Sequence, residues 1–505
     1  MLVIDYCMTK DQIFKEIYTV SLKTNTDLYI VGGFVRDIIL YGHTLLSKDV
    51  DFVVLGSGLE FARALDVHLD EAGTLVEFPD FDTARYVFMS EQLQDEHGND
   101  VKREKLLEIE FAGARKEAYQ KDSRKPSVTS ATLEQDLSRR DFTVNAMALP
   151  VHLFVDGLPD DVQILQSVID PYNGINDLQN KIIKTPLDPD ETFSEDPLRM
   201  LRAARFASQL GFTIEPKSLA SLSTNAYRMS IISKERIQEE FFKLLATKVP
   251  SVGLWILYET TLFDQFMPEI KELAGVEEVK GYTHKDNLSH TFAVVDNLAM
   301  YTDKVLLRFA ALLHDIAKPD TKKFSNTRGW TFDMHEHLGK KMTREICREF
   351  KMKRSDIEYV ALLVRWHLQP ISLMDKGVTD SAVRRLIVNL KDDLSDLLLL
   401  CRSDVTTGNQ SKKERRLKNY DYLEKRIKEV IEIDALRAFQ SPVRGEEIME
   451  ICNIKAGPTV GKLKVAIEEA ILDGIIPNEY EPAKAYLLSI KDTYLSQLSE
   501  REISQ

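Results

Sequence analysis

Cysteine is scarce and scattered in this 505-residue sequence, where Cys7, Cys347, Cys401 and Cys452 form no CxxC pair. That spacing offers no disulfide framework, and the four residues read as reduced, mostly buried thiols of a cytosolic protein. No apolar run approaches the roughly 18–20 residues that a membrane span needs, so no membrane partner is expected. The opening stretch MLVIDYCMTKDQIFKEIYTV mixes acids and bases early and lacks a signal-peptide layout. Positive charge is also in deficit, with 66 Lys and Arg against 80 Asp and Glu and a net charge of −14. This counts mildly against a nucleic-acid binder, because affinity for a polyanion comes from Lys and Arg, and DNA is not an expected partner. Internal repeats and long low-complexity linkers are missing too.

Global charge leaves room for a local basic surface. Two stretches qualify, KKMTREICREFKMKR from Lys340 and SKKERRLKNYDYLEKRIK from Ser411. Solvated helix faces with paired charges fit each of them equally well.

What is present is a soluble globular composition, 44% hydrophobic and 29% charged, in a chain long enough for three or four domains. Residues 1–150 alternate short β-branched runs (LYIVGG, DVDFVVLG, LLEIEFAG) with helical patterns, and EQLQDEHGNDVKREK reads as a polar hairpin insertion. From about Asp170 the pattern becomes helical, as in DPLRMLRAARFASQLGF, which closes at Gly211. The expected class is therefore α+β: a small mixed sheet with helices, then an all-helical body. A break near Gly275–His284 precedes a segment holding six of the ten histidines, and a tail from about Asp434 is punctuated by Pro442, Gly445, Gly457, Pro458 and Gly461. The expected domains are 1–150, 151–275, 276–433 and 434–505.

Asp49 and Asp51 alternate on a strand, so both carboxylates project from one face. Adjacent carboxylates repel unless a cation lies between them, and a pair of Mg²⁺ ions suits hard oxygen donors. Glu108 and Glu110 alternate in the same way on LEIEFAG, and Glu110 is the choice for a third acid, with Glu108 on the same face. Gly32 and Gly33 allow close backbone approach, and the helix behind them points amides at a ligand, an arrangement that favours a triphosphate. Arg36 lies in that helix's first turn, placed to clamp a phosphate.

Together GGFVRD, DVDF and EQDLSRRDFTVNAMAL (134–149), in this order, resemble the class II tRNA nucleotidyltransferase and bacterial poly(A) polymerase family. The resemblance covers roughly the first 250 residues and continues into later helices. It implies a polymerase-β-like head in which an RNA 3′-hydroxyl attacks a nucleotide α-phosphate, with Asp49, Asp51 and Glu110 holding Mg²⁺. Many relatives have aspartate where this chain has Glu110. Within this frame Arg140 is expected to hold phosphates, Asp141 to meet a ribose hydroxyl and Asn145 to bridge to the triphosphate or sugar. Arg115, which follows the FAGA segment, joins the nucleotide-binding set.

SEDPLRMLRAARFA reads as EDxxR on a helix, with Asp196 and Arg199 at i, i+3. As a bare pattern it fits a capped helix with an intrahelical ion pair. It also has a chemical logic, since cytosine and adenine each present an amino donor beside a ring-nitrogen acceptor. A carboxylate accepts from the first and a guanidinium donates to the second. The resemblance implies that Asp196 and Arg199 select CTP and ATP, with Arg202 and Arg205 as phosphate or structural contacts. It implies that Glu235 and Arg236 hold the reading helix in place.

LSHTFAVV, LLHDIAKPD, FDMHEHLGKK and LLLLCRSDVTTGN place His290, His314-Asp315, His335, His337 and Asp404 where separate helices can bring them to one metal. Imidazole with carboxylate suits Mn²⁺, Ni²⁺, Fe²⁺ or Mg²⁺. The set resembles an HD-superfamily phosphohydrolase domain. That implies His290, His314, Asp315 and Asp404 as ligands, and His335, His337 and His367 as second-site or substrate groups. The combined expectation is a cytoplasmic enzyme adding CCA to tRNA from CTP and ATP, with a C-terminal segment that grips the tRNA. Poly(A) synthesis, partial CC or A addition, and a nucleotide-signalling synthetase-hydrolase are the rivals.

Overall fold

The computed structural model describes residues 8–42, 48–70, 72–89, 105–118, 127–279, 282–283, 286–374, 378–435 and 441–496. Cys7, His284 and the expected hairpin insertion, apart from Lys105, lie outside the described residues. The chain forms two compact units, 1–268 and 269–505.

The first unit is built on a six-stranded mixed sheet: β1 (Leu28–Val31), β2 (Asp49–Val54), β3 (Thr74–Phe78), β4 (Thr83–Met89), β5 (Lys105–Gly113) and, after the two-stranded β6 (Arg115–Ala118) and β7 (Ser127–Ser130), β8 (Ala148–Pro150). The spatial order is β3-β4-β5-β2-β1-β8. Only β2 and β5 run parallel, and each other neighbouring pair is antiparallel. Period-2 alternation explains both faces. Val50, Phe52 and Val54 of β2 and Leu107, Ile109 and Phe111 of β5 are buried, while Asp49 and Asp51 point outward. Phe52 meets Phe14 of the Lys10–Thr24 helix and Phe111 meets Phe61 of the Gly58–His68 helix, so the two helices cover the apolar face. Each such ring withdraws enough apolar surface to contribute about 1.5–3 kcal/mol.

Helices complete this unit. The Leu198–Leu210 helix is buried along most of its length and packs on Lys234–Leu245 and Pro250–Glu259. The 150/151 boundary expected from sequence falls inside the unit, because Phe154 stacks on Phe14 and Phe34 and the Thr143 hydroxyl donates to Asp177 at 2.6 Å.

The second unit is helical, with Asn287–Ala299, Val305–Leu313, His335–Glu349, Arg354–Trp366, Leu394–Ser403 and Gln410–Ala435 as its main helices. Val305–Leu313 is apolar almost all round and correspondingly buried. Its C-terminal end hands over to His314 and Asp315, each 1% exposed. Further on, Gly445–Cys452, Pro458–Leu472 and Tyr480–Leu495 enclose a core of Val443, Ile448, Leu463, Ile467, Ala483 and Leu487.

Candidate functional site

In the head, the β2–β5 register sets Asp49 opposite Glu108 and Asp51 opposite Glu110. β4 adds Arg85 beside Glu110. The acids are held by cations: Lys105 Nζ lies 2.7 Å from Asp49 and 3.1 Å from Glu108, and Arg85 lies 3.0 Å from Glu108 and 3.6 Å from Glu110. Glu108 is thus shared by two cations, whereas Glu110 keeps one long contact. Asp51 is exposed at its residue surface, yet protein atoms crowd its carboxyl, and that desolvation, with Glu110 and Asp49 adding to it against Arg140 and Arg202, pushes the carboxyl up to about 6. A cation among these oxygens would relieve that repulsion, so the donor set fits a hard divalent ion. Among the described residues, however, no three head acids bring their oxygens within 4.8 Å of one another, and Asp49 and Glu110 are instead paired with Lys105 and Arg85.

Gly32 has φ +74°, a left-handed conformation that a side chain would strain. A Cβ there would stand 3.2 Å from Arg140 Nη1 and 3.4 Å from Asp51 Oδ2, so the bare backbone borders both. It opens the Gly33–Tyr41 helix, whose N-terminal amides therefore face the acids' edge. Arg140 donates to the buried Asp136 at 3.2 Å and leaves its own buried Nε without a hydrogen bond.

A buried polar chain runs from this helix to the next layer. Arg36 holds Asp37 through two nitrogens, at 2.7 and 3.0 Å, and donates to Asn145 Oδ1 at 2.9 Å. Asn145 Nδ2 donates to Asp141 Oδ1 at 3.0 Å, and Arg202 grips Asp141 Oδ2 at 2.8 and 2.6 Å. With the Phe142 amide also on Oδ1, at 2.8 Å, the acceptor capacity of Asp141 is filled. Burial opposes its charge, yet Arg202 and Asn145 hold the carboxyl down at about 2. Arg36 and Asp141 are therefore engaged within the protein, and a phosphate or ribose would have to displace these partners. Arg115 donates to the Phe81 carbonyl at 2.7 Å and to the Thr83 hydroxyl at 3.3 Å. Arg205 pairs with Glu240, reaches Gln209 at 2.6 Å and lies 3.8 Å over the Phe206 ring, the contacts of a structural brace.

The EDxxR segment is not one helix. Pro189–Glu195 ends before Asp196, which is extended (φ −129°, ψ 97°), and the next helix starts at Leu198. Pro197 causes the break, because a residue before proline is driven away from the helical region. Asp196 accepts from the Leu198 amide and from Arg236, each at 3.2 Å. Arg199 is 7% exposed and donates to the carbonyls of Thr192 (3.2 Å) and Arg139 (2.6 Å), with Glu195 at 3.5 Å, rather than to Asp196. Arg199 thereby ties the start of its helix to the segment that carries Arg140.

In the helical unit, His290 Nε2 lies 2.9 Å from Asp404 and 3.6 Å from Asp315, and His314 Nε2 lies 3.2 and 3.8 Å from Asp315 and Asp404. The other Asp315 oxygen faces His335 at 3.3 Å and His367 at 3.7 Å. Two ligand groups result, His290–His314–Asp315 and Asp315–His335–His367, with Asp315 common to both. Nδ1 of His314, His335 and His367 each faces a carbonyl at 2.7 Å, those of Ala311, Phe332 and Val364, and His290 Nδ1 faces the Thr406 hydroxyl at 2.8 Å. These contacts turn Nε2 toward the centre, as ligating histidines require. His314 Nε2 is buried without a hydrogen bond, which is the orphaned donor atom that a metal would satisfy.

Crowding shifts the protonation of these groups, and Asp315 raises His314 against its burial, so a metal there would have to displace a proton. Burial opposes its charge, but His314 and Lys318 hold Asp315 well below the carboxylate range, and a hydrogen bond from His290 holds Asp404 at about 2. Burial and the neighbouring His314 push His367 down to about 3, leaving it neutral and fit to ligate. His337 is exposed and lies near Glu336, outside both groups. Lys318, 2.5 Å from Asp315, and Thr406 escaped the sequence reading. The HDxxK spacing puts Lys318 one turn beyond Asp315, a signal that was available.

The fold defines a class: a polymerase-type head followed by a helical body with an HD domain. Family profiles agree, matching the poly A polymerase head domain at 28–184, the probable RNA- and SrmB-binding site of polymerase A at 211–273, and the HD domain at 287–425. Among known proteins, the chain is 30% identical over 434 residues to a multifunctional CCA protein of Pseudoalteromonas atlantica, spanning 84% of this chain and 96% of that one. It is 29% identical over 364 residues to an A-adding tRNA nucleotidyltransferase of Deinococcus radiodurans, spanning 70% of this chain and 79% of that one. Among solved structures, the Bacillus stearothermophilus CCA-adding enzyme in complex with CTP superposes with a TM-score of 0.63 at 21% identity, covering 97% of this chain and all of that one. The chain belongs to the tRNA nucleotidyltransferase family of the multifunctional CCA proteins.

Proposed function

We propose that this protein adds the 3′-terminal CCA to tRNA from CTP and ATP, and that its HD centre is a second, phosphohydrolytic site. The observation that carries the first part is the placing of Asp51 opposite Glu110 beside the left-handed Gly32, in a chain matched along 96% of a multifunctional CCA protein. In this reading Asp49, Asp51 and Glu110 hold Mg²⁺, with Glu110 preferred over Glu108 because Glu108 is shared by Lys105 and Arg85. When bound, the ions supply charge neutralisation at the triphosphate. Gly32, Gly33 and Arg140 cradle the phosphates. Asp196 reads the amino group of cytosine or adenine with its remaining lone pairs. Arg199 reads the ring nitrogen, since its contacts use at most three of five N–H groups. Uracil and guanine offer the opposite polarity and would leave buried groups unpaired. Asp141, Asn145, Arg36, Arg202 and Arg205 act behind them as the frame.

At the HD centre, His290, His314, Asp315 and Asp404 hold a divalent ion of the Mn²⁺, Ni²⁺, Fe²⁺ or Mg²⁺ group, and His335 and His367 share Asp315 for a second. Lys318 offers an ammonium to a substrate phosphate. No helix among the described residues is long and apolar enough to cross a membrane, which supports a cytoplasmic location beside tRNA.

The likeness to an A-adding enzyme supports a second reading, addition of the terminal A alone. One assay separates them: Mg²⁺ and single nucleotides are given to tRNAs ending before C, after C and after CC. Ordered C, C, A addition supports the proposal, A addition only after CC supports the second reading, and unlimited A addition to any RNA end refutes both.

A further inference from the structure

The net charge of −14 makes one surface of the helical unit stand apart. The first two turns of the Gln410–Ala435 helix carry Lys412, Lys413, Arg415, Arg416 and Lys418, with Glu414 the only acid among them. None of these five cations has an ion-pair partner among the described residues. Farther along the same helix Lys425 pairs with Glu429 and Arg426 with Asp380, and Asp421 and Glu424 hold Arg402 of the preceding helix.

Helical phase says where the unpaired charge points. Arg416, Tyr420, Leu423 and Ile427 follow one another at four, three and four residues and so share a stripe. Tyr420, Leu423 and Ile427 are at most 5% exposed and mark the buried face of the helix, which packs on Asp380–Leu390 and Leu394–Ser403. Lys412 and Lys413 lie four and three residues before Arg416 on the same stripe. The face that is apolar where the helix is covered becomes cationic where it is not.

That uncovered end lies beside the HD centre. Leu394–Ser403 runs into Asp404, Thr406 holds the His290 ring, and Asn409 caps the basic helix by accepting from the Lys412 amide at 2.9 Å. Only five residues separate Asp404 from the first residue of the helix. Tyr420, one turn beyond Arg416 on the same stripe, lies under Arg402, two residues before Asp404.

We propose that Lys412, Lys413 and Arg416, flanked by Arg415 and Lys418, form a phosphate-backbone track that delivers the 3′ end of an RNA strand to the HD centre. Among the described residues these cations have no ion-pair partner, and a strand of successive phosphates suits a track about two helical turns in extent. The inference rests on the reading of the HD centre as a phosphohydrolase.

The test uses the full chain loaded with Mn²⁺ and two diesters, bis(p-nitrophenyl) phosphate and an RNA of about a dozen nucleotides ending in a 2′,3′-cyclic phosphate. Hydrolysis of the latter adds water at phosphorus and breaks one P–O bond to ribose, leaving a monophosphate and a free hydroxyl. The triple variant Lys412→Gln/Lys413→Gln/Arg416→Gln is compared with a control at the far end of the helix, Lys425→Gln/Lys428→Gln. The proposal expects the triple variant's KM for RNA to rise about tenfold or more, with the small diester unaffected and the control unchanged. The slope of RNA affinity against salt, read by fluorescence anisotropy, should fall by about 2 for three lost phosphate contacts. An unchanged RNA KM and salt slope overturns the track, and so does an equal loss on both substrates. If the wild type cleaves neither diester, the phosphohydrolase reading fails by itself. Anisotropy then decides the track alone, with equal RNA affinity of wild type and triple variant refuting it.

Discussion

Replacing Asp141 by Asn tests the frame beneath the nucleotide site. The carboxylate is 7% exposed and accepts from the Phe142 amide, Asn145 and two nitrogens of Arg202. Its partners lower the carboxyl from 3.8 to about 2, a difference worth about 2 kcal/mol to the folded state at neutral pH. Asn keeps the shape but offers Arg202 one neutral acceptor and turns an amide toward a donor, so a loss of about 2–3 kcal/mol is expected. Hydrogen exchange of peptides covering 137–147 reads this locally, and about 2 kcal/mol corresponds to exchange roughly thirty times faster. The sign with pH follows from the direction of the shift. A depressed carboxyl contributes fully above its unfolded value near 3.8 and loses that contribution as pH falls toward 2, so the difference between wild type and variant should shrink by roughly half by pH 3. Exchange less than threefold faster at pH 7, or a difference of equal size at pH 7 and pH 3, would refute the assignment of the ion pair as the main brace.

Other consequences can be checked separately. Asp49→Ala should abolish nucleotide transfer and leave HD hydrolysis intact, while Asp315→Ala should do the converse, and transfer retained by Asp49→Ala would discard the head's metal assignment. Gly32→Ala forces a left-handed alanine against Arg140 and Asp51, at about 1–2 kcal/mol of strain, and should weaken CTP and ATP binding in equilibrium dialysis. Thr406→Val frees His290 Nδ1 and should weaken metal affinity at the HD centre roughly 10–100-fold by titration, with Thr406→Ser restoring it. Because Asp51 holds a proton up to about pH 6 in the metal-free head, Mg²⁺ should bind less tightly as pH falls through 6, and an Mg²⁺ affinity that is flat between pH 7 and pH 5 would contradict this.

The two-residue alternation of DVDF and LEIEF was legible because one face of each strand must be buried and the other not. Which acid faces which was not legible, since register depends on pairing across more than fifty residues. Asp196 and Arg199 were read as helical neighbours because EDxxR has helical spacing, although Pro197 was visible and argues against a continuous helix. The HEH pattern likewise held its own answer, as residues two apart face opposite sides of a helix, so His335 and His337 cannot share one centre. Long-range partners such as Thr406 on His290, or Arg36 on Asn145, carry no local signal, because their meeting is a product of tertiary packing.

The chain of contacts from Arg36 through Asn145 and Asp141 to Arg202 bears on how this protein can be cut and recombined. A head excised at residue 150 keeps Asp141 and loses Arg202, and keeps Thr143 and loses Asp177. Each cut contact strands a buried polar group. A graft that preserves the head must carry the chain through Pro268, and a chimera joined at 150 must bring matching residues from both parents. In this chain the sheet and the helices after it form one structural piece.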